Sequence, residues 1–193
     1  DPNFNRERMI DIAQGLLARK LDILYIIYAR ADFYKKADEE LMRLLSKSGL
    51  TSVFIGFESA DPNDIKLYGK AASVDDVHNS MSFFKKYDIA IDVGFINFNP
   101  YSTFESLRNN AKFLKQYGYF TCEHYLSKVM IFKGSRMYER VKRDGLLIED
   151  SYKKLFSYKF VDERVGRLSD FLSQYFMLLR QRTHALEEIT LLT

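Results

Sequence analysis

Four short stretches of this 193-residue sequence set polar side chains directly after apolar runs. They are Arg30 and Asp32, Glu58 and Ser59, Asn97 and Asn99 before Pro100, and Lys133 before Gly134. Polar groups placed just past an apolar strand mark a ligand site at the carboxyl edge of a parallel sheet. An arginine, a carboxylate and amides suit an amino-acid-like or nucleoside ligand. The guanidinium pairs with a carboxylate, while the acid and the amides take ammonium or ribose hydroxyls. The same spacing is compatible with a plain structural ion pair between Arg30 and Glu58 at the sheet edge.

The elements that must position these groups are legible as periodicity. Met9, Ile12, Ala13, Leu16 and Leu17 recur at helical spacing and predict an amphipathic helix over 5–21. Residues 23–31 are apolar and short enough for a strand buried on both faces. A helix through Ala37, Leu41, Leu44 and Leu45 stops at Gly49, and 52–57 is the next strand. Ser73 with Asp76, and Ser102 with Glu105, are spaced as capping boxes that open two further helices, with a third strand over 89–98 between them. Gly118 closes the second of these helices, 128–132 gives a fourth strand, and 135–143 a helix ended by Asp144-Gly145. Strands alternating with helices imply right-handed crossovers and a parallel α/β sheet.

Past Gly145 the rhythm changes. Leu168, Phe171, Leu172, Tyr175, Leu178 and Leu179 form one stripe of a long helix with no strand after it, so 147–193 reads as a helical appendage. Its stripe packs either on the sheet's own helices or against another part of the protein. A parallel sheet entered by way of a helix has often lost an earlier strand, and the sequence reads as a fragment on that ground.

With 47% hydrophobic and 28% charged residues and only three prolines, the chain is that of a folded domain, not a disordered one. A formal charge of +3, interleaved with acids, is too small to argue for nucleic acid or a membrane surface, and partners cannot be read from charge. No apolar run reaches the roughly 20 residues that span a bilayer, and the polar start lacks the order of a signal peptide, so a cytoplasmic location is expected. Cys122 is the single cysteine and forms no internal disulfide, as in a reducing compartment.

Five segments, in this order, resemble the later part of the radical S-adenosylmethionine enzymes, in the branch that often follows a cobalamin-binding domain. They are Asp1-Pro2-Asn3-Phe4, Arg30-Ala31-Asp32, Ile55-Gly56-Phe57-Glu58-Ser59, Gly94-Phe95-Ile96-Asn97-Phe98-Asn99-Pro100, and Phe132-Lys133-Gly134-Ser135-Arg136-Met137-Tyr138. The resemblance implies a partial TIM-type barrel of about four parallel strands over residues 1–146, with a C-terminal helical extension over 147–193. In the family a loop after the first strand carries cysteines spaced C-x3-C-x2-C that hold a [4Fe–4S] cluster, and its electron cleaves the bound cofactor to a 5′-deoxyadenosyl radical. No such cysteine set occurs in this sequence, which implies that the cluster is not bound by this chain. The missing N-terminal part of the same protein and a small-molecule substrate are the implied partners, and a cobalamin domain is implied as well.

Position by position, the resemblance implies cofactor contacts at Asp1 and Asn3, where the family usually has Asp-Asp-x-Phe and Pro2 replaces the second acid. Arg30 matches a strand-end arginine facing the cofactor's carboxylate, and Glu58 with Ser59 a pair facing ribose or methionine groups. Asn97 to Pro100 stand where the family more often has a Gly-x-Pro-Gly turn, which changes how closely backbone approaches adenine. Lys133-Gly134-Ser135 replaces Pro-Gly-Thr.

Other features point less sharply. Cys122 and His124 are spaced as a metal pair but lack two further ligands, and Cys122 reads as a small buried or half-buried residue. His78 falls on the helix over 73–87, and His184 near the far end of the last. No dinucleotide or phosphate-loop pattern occurs. Arg136, Arg140, Lys142 and Arg143 read as a solvated helix face, with a nucleic-acid contact as the less favoured alternative. Tyr25, Tyr28, Asp92, Phe95 and Tyr125 are candidates for a barrel interior. Two rival functions follow from the same residues: a conventional barrel lyase or aldolase using Lys133 or Glu58, and a non-catalytic interaction module using the C-terminal helix.

Overall fold

A computed structural model describes residues 5–70, 73–148 and 156–191. The chain forms two compact units, Asp1–Phe95 and Ile96–Thr193.

In the first unit, α1 (Arg6–Ala18) is capped by Asn5, whose side chain accepts the Arg8 N–H at 2.9 Å. β1 (Tyr25–Ala29) follows, then a 3-10 turn (Phe33–Lys35) and α2 (Glu39–Lys47), capped by Asp38. β2 (Leu50–Glu58) leads into α3 (Pro62–Leu67), α4 (Val74–Lys85) and β3 (Ala90–Phe95). The three strands pair in parallel in the order β1-β2-β3. Helix α2 lies against β2 and α4 against β3. Leu41, Met42, Leu45, Val53, Ile55, Val77 and Phe84 are buried, and Phe33 stacks on Phe84 with ring centroids 5.6 Å apart. Arg6 ties α1 to the start of α2 through Asp38 and Glu40.

The expected strand over 23–31 is present, but only one of its faces is covered: Ile26 is 54% and Tyr28 75% exposed. Helices lie on one side of the sheet in this unit, so alternate residues of β1 and β2 face outward. The capping box of Ser73 and Asp76 is present at α4.

In the second unit, α5 (Phe104–Gln116) is followed by α6 (Cys122–Leu126), α7 (Arg136–Arg143), a hairpin of β4 (Leu147–Ile148) and β5 (Ser157–Tyr158), and α8 (Glu163–Leu191). The cap of α5 sits one residue later than expected. Thr103 and Ser106 form the reciprocal pair, because Ser102 instead accepts the Asn99 N–H at 2.8 Å. The expected fourth strand over 128–132 is reduced to two isolated bridges, Phe98–Lys128 parallel and Ile131–Phe156 antiparallel. Two single bridges of opposite sense leave no continuous ladder. The parallel ladder among the described residues therefore has three strands. Residues 147–193 are not helical throughout, since the antiparallel hairpin precedes α8.

The second unit's core is Phe98, Leu107 and Val165, with Phe104, Phe160, Leu168 and Leu172 packed on it. The stripe expected on the last helix is thus divided: Leu168 and Leu172 pack inward, while Phe171 (61%) and Tyr175 (53%) are exposed. The side chain of Leu179 lies outside the described residues.

Candidate functional site

The carboxyl edge of the first unit's sheet gathers four charged side chains. Arg30 follows β1 and pairs through Nε with Asp32 Oδ1 at 3.2 Å. Partial burial works to raise the pKa of Asp32, but the Arg30 guanidinium outweighs it and holds that carboxyl below its ordinary value. Arg30 Nη1 and Nη2 have no hydrogen-bond partner among the described residues.

At the end of β2, Glu58 adopts φ 68°, a left-handed conformation that is unusual away from glycine. The β2–β3 register slips at the same place, between Gly56 and Glu58. Together these turn the Glu58 side chain back over the strand: a Cβ added at Gly56 would lie 2.6 Å from Glu58 Oε1. Gly56 thus makes room for the folded carboxylate. Lys70 Nζ then meets Glu58 Oε1 at 2.7 Å. Arg30, Gly56 and Lys70, with Ala31, Phe57, Ile65 and Val77, line a small pocket of about 40 Å³.

The alternative reading, an ion pair between Arg30 and Glu58, is not what forms: there are two separate pairs, Arg30–Asp32 and Glu58–Lys70. Lys70 is the residue that sequence reasoning missed. It stands in the turn between α3 and α4, away from any strand end, and only the fold returns it to the edge. The one trace in the sequence is a lysine directly after Gly69, whose φ of 65° ends α3.

Ser59 is fully buried, and its hydroxyl donates to Asp64 Oδ2 at 3.0 Å and accepts the Asp61 N–H at 3.1 Å. These bonds organise the start of α3, which Asp61 caps. Tyr25 also has a structural partner, its hydroxyl lying 2.8 Å from Ser48 Oγ on the helix side of the sheet.

The opposite, open face of this sheet runs in register through Tyr28, Phe54 and Asp92, with Gly56 paired to Gly94 in the next outward-facing row. Tyr28 and Phe54 have ring centroids 5.1 Å apart, tilted by 44°. A Cβ at Gly94 would meet Phe54 Cζ at 2.7 Å and Gly56 Cα at 3.2 Å, so the bare glycine is what lets the Phe54 ring lie down on the sheet.

In the second unit, Asn97 is buried and its Nδ2 donates to the Tyr125 carbonyl at 2.8 Å, while its Oδ1 has no hydrogen-bond partner among the described residues. Asn99 is fully buried in a turn, its Oδ1 accepting the Tyr101 N–H at 2.8 Å. The carbonyl of Pro100 accepts the Val161 N–H at 2.9 Å. Lys133 is exposed, so the desolvated amine that Schiff-base chemistry needs is not formed there. Cys122 is exposed, not buried, because it opens the short α6. Its neighbour His124 lies 2.5 Å from Thr121 Oγ1 through Nδ1. Among the described residues no group of three or more His, Cys, Asp or Glu could hold a metal ion.

A larger concavity of about 990 Å³ lies in the second unit between Tyr101, Lys128, Tyr158, Lys159, Phe160 and Asp170. Its lining balances Lys128, Lys159 and Arg167 against Asp144, Glu163 and Asp170, and so selects no ligand charge. Beside it Tyr101 donates to Asp144 Oδ2 at 2.7 Å; burial and that carboxylate push the phenol up to about 12. Asp1 and Asn3 lie outside the described residues, as does the side chain of His184. None of the described helices is long and apolar enough to cross a membrane.

No protein-family model matches the chain. An uncharacterised methyltransferase of Pyrococcus horikoshii is 24% identical over 185 residues, which cover 94% of this chain and 38% of that protein. The 4′-phospho-dehydrooxetanocin synthase of Priestia megaterium is 28% identical over 120 residues, covering 57% of this chain and 16% of the synthase. Among solved structures, the cobalamin-dependent S-adenosylmethionine radical enzyme OxsB, with aqua-cobalamin and S-adenosylmethionine bound, superposes with a TM-score of 0.69 at 22% identity, covering 86% of this chain and 30% of that one. The chain therefore spans well under half the length of these relatives. By its fold the chain is similar to part of that cobalamin-dependent S-adenosylmethionine radical enzyme, in agreement with the resemblance carried by its ordered segments.

Proposed function

We propose that this chain supplies a wall that holds the amino-acid end of S-adenosylmethionine and faces a small-molecule substrate in a radical enzyme. Residues 1–146 form the catalytic-core portion of this reading and 147–193 an extension. One observation carries it: two cations, Arg30 and Lys70, line the same pocket, and the outer nitrogens of Arg30 have no partner among the described residues. A planar guanidinium with a free fork is suited to a carboxylate. Glu58, now on Lys70, is the matching acceptor for the ligand's ammonium. An incoming zwitterion would replace the Glu58–Lys70 pair by two charge-matched contacts of its own, so the edge keeps its charge balance. Asp1, Asn3, Ser59, Asn97 and Pro100 complete the residues assigned to the cofactor by resemblance.

The chemistry that such a cofactor supplies is a 5′-deoxyadenosyl radical, formed when a [4Fe–4S] cluster delivers an electron. The residues of this chain do not fit that cluster, because Cys122 is the only cysteine. The cluster ligands belong, in this reading, to another part of the protein, and the chain by itself is inactive. No residue of the chain is assigned to cobalamin.

Calorimetric titration of S-adenosylhomocysteine into the 193-residue chain tests the reading. Binding is expected, with Arg30→Ala and Lys70→Ala each weakening it by about tenfold or more. Absence of binding, or indifference to both substitutions, overturns it. A second reading, an interaction module built on α8, is favoured by the exposed Phe171 and Tyr175.

A further inference from the structure

The open face of the first unit's sheet holds a carboxylate that the fold does not use. Asp92 is exposed in the centre of β3, on the opposite face from buried Val93. Among the described residues it has no hydrogen-bond or ion-pair partner. Parallel strands usually read as continuous apolar runs because both faces of such sheets are covered. An acid in mid-strand is therefore out of place as packing. On an open face it is placed to meet a ligand of opposite charge.

Its neighbours define the ligand. Asp92 pairs in register with Phe54, and Phe54 with Tyr28. Adjacent strands lie about 4.8 Å apart, so the carboxylate and the two rings form one row within reach of a single small molecule. Phe54 is fixed by its seat on Gly94, and Tyr28, 75% exposed, leans against it. Aromatic faces attract cations, and a free carboxylate takes a charge-assisted hydrogen bond from a basic nitrogen.

We propose that the Tyr28–Phe54–Asp92 row binds a planar ring bearing a basic nitrogen. The row lies two residues down each strand from Gly56 and Gly94, so its ligand sits next to the Arg30–Lys70 pocket and not in it. The proposal goes beyond the cofactor reading by naming the class of a second ligand, and it stands or falls separately.

The test is a titration of benzamidine into the isotopically labelled 193-residue chain, followed by two-dimensional NMR, with benzoate as the control. Benzamidine should shift the resonances of Tyr28, Phe54, Asp92 and Gly94, and benzoate at the same concentration should not. Asp92→Asn should weaken benzamidine by about fivefold or more, and Tyr28→Leu should weaken it as well. Both side chains are exposed, so both variants keep the fold, which the unchanged remainder of the spectrum verifies. Benzamidine should still bind when S-adenosylhomocysteine saturates its own site.

Equal responses to benzamidine and benzoate, or an Asp92→Asn chain that binds benzamidine as well as the parent, overturn the proposal. Displacement of benzamidine by S-adenosylhomocysteine also overturns it, by assigning the row to the cofactor. No response to benzamidine at all overturns it in favour of a packing face for another segment of the protein. A chain that takes benzamidine but not S-adenosylhomocysteine discards the cofactor reading and leaves this one standing.

Discussion

Glu58 meets Lys70 at 2.7 Å with its own backbone in the left-handed region, so the ion pair at the sheet edge is made by a residue held in an unfavourable conformation. Such strain costs on the order of 1 kcal/mol at a non-glycine residue and persists where the surroundings over-determine it. Here the Gly56 backbone leaves the space and Lys70 supplies the charge.

Glu58→Gly separates strain from function. The substitution removes the left-handed penalty and a partly exposed ion pair of small value, so the melting temperature should hold or rise by a few degrees. Binding of S-adenosylhomocysteine should fall by about tenfold or more, because the ammonium loses its acceptor. Thermal melts and calorimetry on the same preparation check both halves.

Asp76 joins the 3-10 turn to α4. Its carboxylate accepts from Tyr34 at 2.8 Å and from the Ser73 N–H at 2.9 Å, and it pairs with Lys35. Burial alone would raise its pKa, but the bonds from Lys35, Ser73 and Tyr34 outweigh burial and hold it well below the usual carboxylate range. A group with a depressed folded pKa stabilises fully above its unfolded value near 3.8 and loses that contribution as pH falls toward the folded value. Asp76→Ala should cost about 1–2 kcal/mol at neutral pH. The gap between parent and variant should narrow below about pH 4, as denaturant melts across a pH series would show.

Gly94→Ala probes the seat of Phe54. The new Cβ would lie 2.7 Å from the ring and 3.2 Å from the Gly56 backbone, and backbone cannot step aside as a side chain can. A loss of about 1–3 kcal/mol is expected by chemical denaturation, with a change in the aromatic circular dichroism as the Tyr28–Phe54 pair is disturbed.

The last helix offers a paired comparison. Leu172 packs on the core of Phe98, Leu107 and Val165, whereas Phe171 beside it is 61% exposed. Leu172→Ala should cost about 2 kcal/mol or more, and Phe171→Ala less than about 0.5 kcal/mol. Equal losses in denaturant melts would mean that both faces of α8 are covered.

Iron and sulfide reconstitution gives a check on the chain's division of labour. With Cys122 as its only thiol, the 193-residue chain should develop no [4Fe–4S] absorption. A stoichiometric cluster on this chain would contradict the proposed placement of the cluster ligands elsewhere in the protein.

Much of the first unit was legible because short-range rules govern it. The Ser73–Asp76 box opens α4, Gly49 ends α2 with φ 109°, and the parallel β1-β2-β3 order follows from strands separated by helices. The second unit was less legible. Thr103 took the cap expected of Ser102 because Ser102 was engaged by Asn99, and 128–132 became two bridges because its partners are Phe98 and Phe156, far away in sequence. Neither competition can be read from spacing.

What the sequence determined by itself is the set of groups at the strand ends, Arg30 and Glu58 above all, since apolar runs and turn residues dictate where strands stop. Tertiary structure alone decided how those groups pair. It brought Lys70 back from the α3–α4 turn to Glu58, gave Arg30 to Asp32, committed Ser59 to the inside, and left Asp92 open beside Phe54. The physical reason is that local rules set the backbone of each segment, whereas the partner of a charge depends on which distant residue the fold carries within about 3 Å of it.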